Sequence, residues 1–299
     1  MATTFDYIKL HFIIFLWGFT AILGLFVQIP AIEMVVYRTL VAFLAMGIIM
    51  AVQNQSFLLP AGYLQKLMLT GFIVAAHWIT FFLSARVANA SVSLVGIATG
   101  SLWASILDPL FSKRKIRGYE VLLGLLVLVG LYVIFSFDFN YPLGLALGIL
   151  SGFLSALFFA LNQQLGQRVT PFQVTFYEMG GACIGALIYL GLHVTLVDTH
   201  YQINFNASWV DWICILALSL ACTVYAFSVS VDLMKRLSVF FMQLSLNLEP
   251  VYGIILAVLI FGKTEKMNLQ FYIGTLVILL AVAGYPLLKR KFSSDRLSS

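Results

Sequence analysis

Ten long apolar runs separated by short polar joints make up almost the whole chain, at about residues 8–28, 31–52, 66–87, 91–111, 118–136, 142–164, 171–193, 210–233, 238–261 and 269–288. Each run is continuous, without the apolar–polar alternation over ~10 residues that a membrane strand shows. Each is also close to the roughly 20 residues a helix needs to cross a bilayer. The pattern predicts an all-α, polytopic membrane protein with ten transmembrane helices. The third and fourth runs are joined only by Val87-Ala88-Asn89-Ala90, which requires a very tight turn. The one longer joint, His193 to Trp209, carries Asp198, His200, Asn204 and Asn206. The first run lacks a small-residue cleavage site, so it is expected to be a span and not a removed leader.

Composition narrows the classes. The chain is 62% hydrophobic and 10% charged, against about 25% charged in soluble domains. Too little polar surface remains to cover a water-facing globule, so lipid is the expected solvent, and 299 residues leave no room for a separate soluble domain. The net charge of +5 could suggest nucleic acid, but the basic residues stand in short clusters between apolar runs. That is how cytoplasmic loops look, and no nucleic-acid partner is expected. With the N-terminus inside, the inner ends collect thirteen of the 17 Lys and Arg residues: Lys9, Lys66, Lys113, Arg114, Lys115, Arg117, Arg168, Lys235, Arg236, Lys289, Arg290, Lys291 and Arg296. Only Arg86, Lys263 and Lys266 fall outside, and Arg38 lies within a span. Both termini are therefore expected in the cytoplasm, at the cell (inner) membrane. Cys183, Cys214 and Cys222 sit inside apolar runs with no metal or redox spacing and read as packing residues.

The chain then repeats itself. Trp17-Gly18-Phe19 followed by Gln28 is matched by Ser151-Gly152-Phe153 followed by Asn162. Pro30 leads to Tyr37-Arg38, and Pro171 leads to Tyr177-Glu178, one residue sooner. Ala90-Ser91-Val92 pairs with Leu237-Ser238-Val239, and the apolar stretch from Gly124 with that from Gly274. Four matches in one order predict a five-helix repeat, with halves at 1–138 and 139–299. Five is odd, so the second half would enter from the opposite face. Two inverted repeats form a common transporter architecture, with the site near mid-membrane between them.

Trp17-Gly18-Phe19, the Pro30-to-Arg38 stretch, the Ala88-to-Leu94 turn and above all Leu248-Glu249-Pro250-Val251 resemble the EamA family of the drug/metabolite transporter superfamily. The resemblance covers nearly the whole chain. It implies ten helices in two inverted halves, a central cavity, and transport of amino acids or other small metabolites, often outward. The fourth span, Thr99-Gly100-Ser101-Leu102-Trp103, departs from the pattern by lacking a Pro at that depth; Pro109 comes later. Related four-helix multidrug transporters couple protons through a Glu in their first helix. Neither the first nor the sixth span here has a carboxylate to play that part.

Ionisable groups at membrane depth are costly, about 2.5–3.5 kcal/mol on insertion scales, and need partners or water. Glu249 stands near the middle of the ninth span with Pro250 beside it, where a kink would free the Leu246 carbonyl. Helical spacing places Ser245, Glu249 and Tyr252 on one face and Gln243, Asn247 and Pro250 on another, as expected for a helix bordering a cavity. Glu249 and His77 are the candidates for proton or ion coupling, His77 because histidine titrates near neutrality. The bland reading of each is a hydrogen bond to a neighbouring helix. Candidate substrate-binding residues are Trp17, His77, Trp78, Phe81, Trp103, Tyr225, Ser228, Ser245, Asn247 and Glu249. Arg38 and Glu178, related by the repeat but opposite in charge, lie too far apart in depth to pair and are expected to be structural anchors. Arg38 meeting a substrate carboxylate is the alternative. Asp232 beside Lys235 and Arg236, and Asp108 near Lys113, are expected in surface salt bridges. Gly144, Gly148 and Gly152, continued by Ala156 and Ala160, form a small-residue stripe for close helix contact.

With what the resemblance implies, the expected function is a secondary transporter exporting amino acids or similar small metabolites. A multidrug exporter of hydrophobic cations is the alternative; a membrane-embedded enzyme or a channel fits less well. The four histidines are scattered with no HExxH, no phosphate-binding glycine loop is present, and no re-entrant pore loop is evident. No enzyme activity, metal or other cofactor is expected. The expected partners are a small-molecule substrate and the lipid bilayer, with the chain a monomer or homodimer.

Overall fold

The computed structural model describes residues 2–88, 90–135, 141–249, 251–252 and 269–294. Among these every regular element is helical. In chain order they are α1 (Thr4–Gly18), α2 (Thr20–Phe26), α3 (Ala31–Val52), α4 (Tyr63–Val87), α5 (Ala90–Ala98), α6 (Gly100–Ser112), α7 (Gly118–Phe135), α8 (Pro142–Leu165), α9 (Pro171–Leu192), α10 (Trp209–Ser219), α11 (Ala226–Leu233), α12 (Val239–Leu246) and α13 (Leu269–Ser294). A π-helical turn, His193–Val197, extends α9, and a second, Leu220–Tyr225, joins α10 to α11.

The starts follow from local chemistry. Thr3 with Asp6, Thr170 with Gln173 and Ser208 with Asp211 each form a reciprocal capping box, which satisfies backbone donors that a helix N-terminus leaves bare. Pro171 occupies the first position of α9, where its missing N–H costs nothing.

Seven helical segments among the described residues are long and apolar enough to cross a membrane: Ala31–Val52, Tyr63–Val87, Val92–Ser112, Pro142–Leu165, Pro171–Val197, Trp209–Leu233 and Tyr272–Phe292. The shorter apolar Gly118–Ile134 stands beside them. Two of the ten predicted runs are absent from this set. The ninth continues through 253–261, outside the described residues. The first is not one continuous helix, as the apolar pattern predicted. It breaks at Phe19, where the Thr20 hydroxyl donates to the Trp17 carbonyl at 2.7 Å and offers the backbone a local alternative to the helix ladder.

Helix α4 packs against both α8 and α9, α3 against α9, α8 against α5 and α6, α7 against α13, and α1 against α11. Outward faces carry exposed Leu44, Ile48, Leu122, Val129, Ile213, Leu276 and Leu280, as lipid-facing helices do. The small-residue stripe of α8 lies against α4 and α5: a Cβ on Gly96 would fall 2.5 Å from the Gly148 backbone, so these two backbones touch.

Helices α3 and α9 run antiparallel. Phe43 stacks on Phe176, and a Cβ on Gly180 would meet the Phe43 ring while one on Gly47 would meet Phe176. The loop that leaves each helix lands on the start of the other. Gln173 donates to the Ser56 and Leu58 carbonyls, both at 2.9 Å, and the Tyr177 hydroxyl donates to Phe57 at 2.6 Å. Reciprocally, Glu33 accepts from the Tyr201 hydroxyl at 2.7 Å and the Asn204 N–H at 3.0 Å, while the Tyr37 hydroxyl donates to Phe205 at 2.8 Å.

Candidate functional site

A small cavity of about 60 Å³ lies where the two halves meet. The first half contributes Trp17, Thr20, Arg38, His77, Trp78, Phe81 and Ile97 to its wall; the second contributes Ser155, Phe158, Phe159, Phe227, Leu246 and Glu249. A second space of about 20 Å³ adjoins it, sharing Ile97, Leu246 and Glu249 and adding Gln243 and Asn247. Both spaces exceed the ~10–15 Å³ that one water molecule requires.

Irregular helices set the polar groups. The π-helical turn in Leu220–Tyr225 displaces the α-helical hydrogen-bond ladder. The Cys222 carbonyl there accepts the Trp17 indole N–H at 2.8 Å. The Thr223 hydroxyl donates back to Leu218 at 2.9 Å and accepts from Arg38 Nε at 2.9 Å. The Arg38 guanidinium lies 3.9 Å from the centre of the Trp78 ring. His77 Nδ1 lies 2.9 Å from both the carbonyl and the hydroxyl of Ser151, so α4 is tied to α8 at the cavity wall.

Glu249 follows the end of α12. There the chain tightens, with Asn247 N–H bonding Leu244 and Leu248 N–H bonding Ser245 in three-residue steps. The Glu249 carboxylate is 9% exposed and accepts a long hydrogen bond of 3.5 Å from the Thr20 hydroxyl. One cation and one carboxylate thus border the same space, and neither belongs to an ion pair among the described residues. Trp78 and Thr223 hold the Arg38 side chain, and Thr20 holds Glu249.

The predicted set divides. Trp17, His77, Trp78, Phe81 and Glu249 meet at the larger cavity, and Asn247 at the smaller one. Arg38, expected to be an anchor, ties α3 to the π-helical turn through Thr223 and also lines the cavity, over Trp78. Its repeat mate Glu178 is fully buried in a helix contact, accepting from Asn162 Nδ2 at 2.9 Å.

Four candidate binding residues lie elsewhere. Tyr225 is 45% exposed and meets Phe12 edge-on at the bundle exterior, because the face it shares with Asp232 is turned away from the cavity. Ser228 bonds Thr175 at 2.9 Å and Val224 at 2.6 Å, which satisfies its hydroxyl away from the wall. Trp103 packs against Phe153. Ser245 is buried outside both cavities. Pro250 lies outside the described residues.

Asp232 pairs with Arg236 at 2.6 Å. Asp108 pairs at 2.9 Å with Arg114, not Lys113, because Lys113 caps α6 in the left-handed conformation (φ 53°) and turns the next residue back. Thr20, Ser155, Phe158, Phe159 and Phe227 escaped the sequence reading. Two carried a signal: Thr20 stands three residues beyond Trp17 and Ser155 four beyond Ser151, each on the same helical face as a residue already singled out.

An all-helical bundle with lipid-facing sides and a polar cavity at the junction of two similar halves defines the class, a polytopic membrane protein. The chain belongs to the EamA-like transporter family, whose model matches residues 7–136 and again 142–285. A solved crystal structure, described only as that of a protein, has the same fold: TM-score 0.75 at 16% identity, over 97% of this chain and 99% of the other. No curated protein matches the sequence.

Proposed function

We propose that this chain is a secondary transporter that exports amino acids or similar small metabolites across the cell (inner) membrane. Its ten spans form two inverted halves with both termini in the cytoplasm, and the halves rock to expose a central site to one face at a time. The observation that carries the reading is the space lined by Arg38, His77 and Glu249, built by both halves between interrupted helices. Broken helices at a repeat interface are where transporters place their sites. The antiparallel run of α3 against α9, with each loop held by the other half, supports the inversion. The thirteen-to-three division of loop cations supports the orientation. The aromatic wall with Glu249 would also suit a hydrophobic cation, but the Arg38 guanidinium beside it repels one.

Purified protein in liposomes, offered a panel of labelled amino acids with and without a pH gradient, tests this directly. The expected result is flux above that of empty liposomes, falling about tenfold or more in Glu249→Gln with normal expression. A panel in which no solute moves removes the support for amino-acid transport. Undiminished flux in Glu249→Gln returns that residue to packing.

A further inference from the structure

Arg38 is 2% exposed and forms no ion pair among the described residues. A buried charge is costly unless paired and hydrogen-bonded, and a guanidinium has five N–H donors in a rigid fork. Among the described residues only Nε finds a protein acceptor, Thr223 Oγ1 at 2.9 Å. That bond and the Trp78 ring 3.9 Å from Cζ hold the group, and Arg38 forms part of the cavity wall. The donor pair left free is the edge that binds a carboxylate in bidentate fashion. Glu249 borders the same space, and no ion pair joins it to Arg38.

We propose that Arg38 is the anion-binding residue of the cavity, gripping the carboxylate of the transported solute through its two terminal nitrogens while Glu249 faces the solute's cationic end. This rests on the transport reading above and deepens it. The solute is a zwitterion that bridges two fixed charges, and a compound lacking the carboxylate is rejected. Discrimination follows because an absent carboxylate leaves the buried guanidinium unmatched.

The test compares L-leucine, L-leucinamide and isoamylamine, which share a side chain and differ at the carboxyl end. Binding is read as the shift in thermal unfolding of the full-length protein in detergent, and transport as flux into liposomes. Wild type should bind and move leucine at least tenfold better than the other two. Arg38→Gln should abolish the preference for leucine over the amide. If Arg38→Gln does not fold, Arg38→Lys, which keeps the charge but loses the planar fork, should show a reduced preference. Equal handling of leucine and leucinamide by wild type overturns the proposal, as does an unchanged preference in the Arg38 variants or no binding of any of the three. Flux of all three at one rate sinks the role of Arg38 and leaves the transporter reading standing. Carboxylate-dependent binding without any flux does the reverse.

Discussion

Helices α3 and α9 occupy matching places in the two halves, and three of their positions can be compared directly. Glu33 and Gln173 each stand four residues before a tyrosine, Tyr37 or Tyr177, and each pair clasps the loop that leaves the opposite helix. The next residue breaks the likeness. Arg38 turns to the cavity and uses one of its donors on protein, whereas Glu178 is sealed against Asn162. A repeat can thus keep its architectural contacts in both copies while one copy of a charged position lines a cavity and the other packs.

Glu178 offers the sharpest way to break the comparison. Among the described residues, its Oε1 and the Asn162 Oδ1 are both buried acceptors without a donor. Glu178→Leu would leave the Asn162 amide unpaired as well, lowering stability by about 1–3 kcal/mol. Glu178→Gln places a donor where one of those acceptors stood and should raise stability by about 0.6 kcal/mol, the usual worth of such a bond between membrane helices. Thermal unfolding in detergent reads both. A Leu variant as stable as wild type would mean that Glu178 does not hold the α8–α9 contact.

The two clasps come next. Tyr37→Phe and Tyr177→Phe each remove one hydrogen bond of about 0.5–1.5 kcal/mol, at opposite ends of the antiparallel pair. With a reporter Ser155→Cys in the cavity wall, labelling by an impermeant maleimide should rise from one face in the first variant and from the other face in the second. Shifts toward the same face would refute the assignment of the clasps to opposite ends.

The smallest effect is one of pH. Burial pushes the Tyr201 phenol well above its ordinary range, and its hydrogen bond to Glu33 adds to the rise. A raised phenol pKa in the folded state means its contribution is complete below about pH 10 and fades as pH climbs through the folded-state value. The stability difference between wild type and Tyr201→Phe should therefore be flat at neutral pH and shrink in alkali. A difference that stays constant into strong alkali would show that the phenol proton plays no part.

Much of this was legible in the chain. The apolar runs, the Tyr37 and Tyr177 correspondence, and the meeting of Trp17, His77, Trp78, Phe81 and Glu249 follow from periodicity and from the cost of polar groups in lipid. Other features were hidden for physical reasons. The break at Phe19 depends on a hydroxyl–carbonyl bond that apolar pattern does not register. Tyr225 could not be told from a wall residue, because a helix apolar all round does not reveal which side meets lipid. The inward turn of Arg38 depends on Trp78 and Thr223, which lie 40 and 185 residues away in the chain.

The crossed clasps carry one more consequence. Three hydrogen bonds tie each end of the α3–α9 pair to a loop from the opposite half. Prying the bundle apart at one end sacrifices one trio and spares the other; a continuous hole through the membrane would require losing both together. Under the proposed rocking of the halves, a path wired this way would favour a see-saw over a leak and so guard the ion gradients of the membrane.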